Sequence, residues 1–215
     1  MLYLLQQGQW LLFLGILLAL VISLSFHEFG HAWAAKRFGD NTAELAGRLT
    51  INPRSHIDPM GLLMVIMIGF GYAKPVPTNP RLFTSRYADL VIAAAGPLMN
   101  LLIAIASINF YIFTLQAGWG FFEQPGTYFF FTLLAQINLL LMVFNLLPIG
   151  ALDGNYILPY FLPRKLASLY RFYNHRYGNW LLLGLLFLAI LGVPVFESVL
   201  SMSRSMLALI VFFPL

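Results

Sequence analysis

His27, Glu28, Phe29, Gly30 and His31 stand in an order that has chemical meaning. Side chains four positions apart share one face of an α-helix, so His27 and His31 can offer both imidazoles to a single cation. Glu28, beside them, is then placed to take a proton from a water on that cation. Three protein ligands with a fourth position left for water is the form that a catalytic zinc takes. The plainer alternative is a polar helix face meeting lipid headgroups just before the loop at Lys36. The surroundings weigh against it. A carboxylate and two imidazoles lie some two turns inside an apolar run, where a charge at mid-span costs about 2.5–3.5 kcal/mol. The chain has no cysteine, so disulfides, thiolate metal sites and cysteine nucleophiles are excluded, and any metal must use His, Asp or Glu.

A third ligand has to come from another element. Asp40, Glu44, Asp58 and Asp89 fall at loops or at the edges of apolar runs, Glu123 in a connection, and Glu197 beyond the last clear run. Asp153 differs, because it closes an apolar run through Asn145, Pro148, Gly150 and Gly154. That proline and those glycines break a helix and free backbone groups that need a protein-lined cavity. The alternative for Asp153 is a cap on the turn that follows.

The elements that must carry these residues are membrane spans. Of 215 residues 60% are hydrophobic and 9% charged, where a soluble domain carries about 25% charged residues, and mean hydropathy is +0.81. Apolar runs begin near Trp10, Ala88, Thr127 and Trp180, each close to the roughly 17–25 residues of a helical crossing. No Lys or Arg precedes the first run, which reads as a retained span rather than a secretory signal. The shorter run 60–73 suits a re-entrant element, and 42–51 reads as a short strand or hairpin near the inner face. The expected fold is an all-α polytopic helical bundle, one domain over 1–215 with its core at 9–155. An amphipathic segment at 163–178 is expected flat on the inner surface, followed by one or two C-terminal spans over 179–215.

Charge orients this bundle. Lys36, Arg37, Arg48, Arg54, Lys74, Arg81 and Arg86 precede the run at Ala88, residues 116–126 carry no Lys or Arg, and Arg164, Lys165, Arg171 and Arg176 follow Asp153. If 60–73 does not cross, all eleven lie on the inner side, as the positive-inside rule asks, and Asp153 returns to the side of His31. The net charge of +4 therefore reads as contact with anionic lipid, and nucleic acid is not expected as a partner.

H-E-F-G-H in one apolar span, followed by an N-x-x-P-x-x-x-x-D-G segment in a later one, resembles the site-2 protease family of intramembrane zinc metalloproteases. The stretch Ala73-Lys74-Pro75-Val76-Pro77, and Gly96-Pro97 followed by Asn100, fit the same pattern. The resemblance implies one zinc per chain on His27, His31 and Asp153, with Glu28 as the catalytic glutamate. It also implies a prokaryotic cell-membrane protease, its site near the cytoplasmic face and its substrates transmembrane proteins. Ala151 stands where many members have proline, and neither a PDZ nor a CBS domain fits in the loops, so the chain resembles a minimal member.

A tetrahedral oxyanion needs donors besides the metal. Asn145 is the candidate and Asn100 a weaker one, with interhelical hydrogen bonding as the alternative for both. An edge at 48–52 could pair with an unwound substrate. His56 is read either as a gate or transient ligand or as a hydrogen-bonded loop histidine, and His175 as having no special role. Two other functions use the same residues: a catalytically silent binder of membrane segments, and a metal transporter. A binder needs none of the four site residues, and a transporter needs more polar positions along its spans than the scattered Asn and Ser found here.

Overall fold

A computed structural model describes residues 1–213. Three long apolar helices dominate it: α1 (Trp10–Arg37), α3 (Ala88–Gln116) and α4 (Pro125–Asn145), with α2 (Pro59–Ile68) between the first two. At 1.5 Å per residue the long helices measure about 42, 43 and 31 Å, enough to cross a hydrocarbon core of about 30 Å, whereas α2 reaches about 15 Å. The protein is therefore an all-helical, multi-pass membrane protein. Large apolar side chains such as Leu11, Leu14, Leu18, Leu98, Leu102 and Phe113 are exposed on the spans, as lipid contact requires.

Helix α3 is the central element and packs against both α1 and α4. Its contact with α1 is built from small residues, with Ala32, Ala34 and Ala35 buried on α1 and Ala88, Ala93 and Gly96 buried on α3. Such residues let helix backbones approach where apolar burial alone gives no advantage over lipid. Gly30 marks the closest approach, since a Cβ there would lie 2.7 Å from the Ala95 carbonyl oxygen. On the other side of α3, Ala104, Ile108, Tyr111 and Ile112 pack with Ala135, Leu139, Met142 and Val143 of α4.

Asp58 starts α2 by accepting hydrogen bonds from the backbone N–H groups of Met60 and Gly61. After Gly69 the chain has no regular helix until residue 80. The strand expected at 42–51 is absent: Thr42–Leu45 forms a helical turn, closed by Gly47 at φ +67° with the Arg48 N–H on the Ala43 carbonyl. Local hydrogen bonding, with Asp40 accepting from the Thr42 N–H, takes up the groups that a hairpin would have used. The one β-type pairing among the described residues joins Ile57 to Ala73.

Helices α5 (Arg164–Tyr173) and α6 (Asn179–Ile190) correspond to the expected amphipathic segment and the run that follows it. They are continuous through a π-helical turn, Asn174–Gly178, without an intervening loop. Helix α7 (Glu197–Leu209) packs on α4. The buried Asn109 of α3 ties down its end, donating to the Ile210 carbonyl and accepting from the Phe212 N–H.

Candidate metal centre

His27 and His31 face α3 from the buried side of α1, about 15 Å and 9 Å from its C-terminal end. Asp153 reaches them from the broken segment after α4. The His27 Nε2 lies 3.2 Å from Asp153 Oδ2, the His31 Nε2 lies 3.4 Å from Asp153 Oδ1, and the two Nε2 atoms are 3.0 Å apart.

The proton positions follow from backbone carbonyls, which can only accept. The Asn100 amide nitrogen faces the Ser23 carbonyl at 3.3 Å, so its oxygen faces His27 Nδ1 at 2.6 Å and that nitrogen carries the hydrogen. His31 Nδ1 sits 2.7 Å from the Ile92 carbonyl and is likewise a donor. In neutral imidazoles both Nε2 atoms are then lone pairs. Asp153 Oδ2 is buried and accepts no hydrogen bond. Acceptor atoms at this spacing repel unless a cation lies among them. Tetrahedral zinc with bonds of 2.0–2.1 Å would set ligand atoms about 3.3–3.4 Å apart, close to the separations observed. The residues fit the metal.

A polar network inside the bundle holds this arrangement. Asn138 of α4 accepts from the Asn100 amide at 2.9 Å and donates to Ser23 Oγ and to the Leu134 carbonyl, both at 2.8 Å. Ser23, Asn100 and Asn138 are fully buried, so α1, α3 and α4 meet at one chain of hydrogen bonds ending on His27. On α3, Pro97 has no N–H to give the Ala93 carbonyl, and within the same turn the Ile92 carbonyl accepts from His31. Gly96 leaves room for the imidazoles, because a Cβ there would overlap both rings.

Glu28 is buried next to the pair, and its Oε2 accepts the Val76 N–H at 3.1 Å. Arg48, also buried, holds the 73–76 segment there by donating to the Lys74 and Pro75 carbonyls. His56, the last residue of the helical turn Pro53–His56, supports it. Its Nε2–H donates to the Thr50 carbonyl, its Nδ1 faces Arg48, and its backbone carbonyl accepts from the Lys74 N–H. Burial lowers the His56 pKa and the Arg48 charge adds to that, against the Thr50 bond and the Glu28 charge.

The structure thus brings together His27, His31, Asp153 and Glu28. Asn145 stands apart from their hydrogen bonds, one amide hydrogen being given to the Leu141 carbonyl of its own helix. Asn100, the weaker candidate for an oxyanion donor, is the partner of His27. Ser23 and Asn138 were not singled out by the sequence. Their signal was a hydroxyl one turn before His27, and an amide in a mostly apolar span.

A family model described as peptidase family M50 matches residues 15–123 and 120–191. "Putative zinc metalloprotease YwhC" of Bacillus subtilis is 39% identical over 153 residues, 69% of this chain and 69% of that protein. Rip2 of Mycolicibacterium smegmatis, which bears the same designation, is 34% identical over 151 residues, 66% of this chain and 55% of that protein. Rip2 of Mycobacterium tuberculosis is 31% identical over 150 residues, with the same shares. The chain thus spans about half the length of the Rip2 proteins. No solved structure matches.

Proposed function

The chain belongs to peptidase family M50, the site-2-type zinc metalloproteases, and from that membership we propose that it cleaves peptide bonds in or near transmembrane segments of membrane proteins, using His27, His31 and Asp153 to hold zinc and Glu28 as general base. The observation that carries this reading is the convergence of two imidazole lone pairs and one carboxylate beside a buried glutamate.

Zinc bound there would supply Lewis-acid activation of water and of the scissile carbonyl. Glu28 takes the proton of the attacking water and returns it to the leaving amine. The Val76 N–H on Oε2 keeps that carboxylate oriented. Asn145 keeps one amide hydrogen uncommitted by any bond to Leu141, and it would donate to the substrate oxyanion, a contact that apo structures often leave open. Helix α2, too short to cross, is a re-entrant element under this reading. The basic connections lie on the cytoplasmic side of a prokaryotic cell membrane and the bare connection 117–124 lies outside.

The test is Glu28→Gln in purified protein reconstituted with a membrane-spanning substrate. Zinc content should stay at one per chain while cleavage falls by about 10²–10⁴-fold, the usual contribution of a general base. Zinc-loaded Glu28→Gln that cleaves at the normal rate would refute the role of Glu28 and favour a different base.

A further inference from the structure

Asp153 is a ligand on an irregular turn, and something outside the turn must fix it. Gly150 holds φ +60°, and its backbone N–H and carbonyl both point to one side chain, Asn174, on the helix that begins at Arg164. Asn174 Oδ1 accepts from the Gly150 N–H at 2.9 Å. Its amide group donates to the Gly150 carbonyl at 3.1 Å and to Asn155 Oδ1 at 2.6 Å. One carboxamide thereby grips the chain three residues before Asp153 and two residues after it, with both donor hydrogens used. Tyr170, one turn earlier, adds a hydroxyl bond of 2.8 Å to the Pro148 carbonyl.

The π-helical turn Asn174–Gly178 belongs to this grip, and such turns are frequent at functional sites. It brings Gly178 against Gly150, where a Cβ on Gly178 would overlap Asn174 Oδ1 and stand 2.9 Å from the Gly150 nitrogen. Beyond the turn, Asn179–Ile190 buries no residue. We propose that Asn174 is a positioning residue of the metal centre, setting the turn that presents Asp153 to the two imidazoles. This rests on the three-ligand reading above.

Zinc affinity of the purified full chain, measured by competition with a chromophoric chelator, tests it together with the visible spectrum of Co²⁺ bound in place of zinc. Asn174→Leu removes the grip, and Gly178→Ala displaces it with Asn174 still present. Both should weaken zinc by about 10–100-fold, as losing a ligand's hydrogen-bonded support does, and both should alter the cobalt spectrum. Asn174→Asp, which keeps the acceptor for the Gly150 N–H, should recover part of the affinity. Gly184→Ala on the same helix, with nothing within 4 Å of its Cβ, should bind zinc as the parent does.

Parent-like affinity and cobalt spectra in both Asn174→Leu and Gly178→Ala would overturn the proposal. An equal loss in Gly184→Ala would overturn it too, as a general loosening of the fold. Asp153→Ala separates the two readings. If it binds zinc normally, the three-ligand centre itself fails; if it alone weakens zinc, only the role of Asn174 does.

Discussion

Asn100 provides the sharpest test of how the bundle prepares its histidines. It makes three buried hydrogen bonds, one to His27 and one each to Ser23 and Asn138. Interhelical bonds of this kind contribute about 0.6 kcal/mol each in a membrane protein, so Asn100→Ala should destabilise the fold by only about 2 kcal/mol and leave it assembled. Its effect on the metal should be larger in proportion. Without an acceptor on Nδ1 the His27 ring loses both its tautomer and its orientation, and such losses weaken metal binding by about 10–100-fold, or about 1.4–2.7 kcal/mol. Asn100→Asp reverses the pattern. It keeps an acceptor for the Nδ1–H but turns an oxygen toward the Ser23 carbonyl and Asn138 Oδ1. Zinc affinity should then stay within a few-fold of the parent while the apo protein melts lower than Asn100→Ala. Chelator competition and thermal unfolding of the apo protein in the same detergent read the two quantities. The reasoning fails if Asn100→Ala binds zinc like the parent, or if the Asp variant loses as much affinity as the Ala variant.

Two further outcomes follow from the same geometry. Gly96→Ala gains helix propensity of up to about 1 kcal/mol yet must push both imidazoles aside, so zinc affinity should fall by about 10–100-fold, matching 1–3 kcal/mol of overpacking. Unchanged affinity by chelator competition would contradict it. Asn145→Ala should keep zinc and lose about 10²–10³-fold in kcat, and unaltered turnover of a membrane-spanning substrate would remove its role as oxyanion donor.

Much of the framework is legible in the sequence because two periodicities are strong there. The runs starting at Trp10, Ala88 and near Thr127 become the three spans, and the four-residue spacing of His27 and His31 does put both rings on the α3-facing side. Asp153 could be picked out because the other acids stand at edges or in loops. The 42–51 segment was not legible as a turn, since its closure depends on Gly47 taking a left-handed conformation and on Asp40 accepting the Thr42 N–H. Proximity was also hidden. Asn100 and Asn145 look alike as amides in apolar spans, and only the packing of α3 against α1 gives Asn100 to His27. Asn174 gives no signal of its role, because an asparagine beside basic and aromatic residues reads as ordinary interfacial polarity.

The wide separation of the proposed ligands along the chain has a consequence for biogenesis. His27 and His31 are synthesised and inserted in the first span, whereas Asp153 leaves the ribosome only after two more spans have been made. Nascent protein therefore presents a two-histidine half-site until the segment after α4 has been made. Stable zinc capture must await assembly of the finished bundle, so a stalled or truncated product should emerge metal-poor and proteolytically inert.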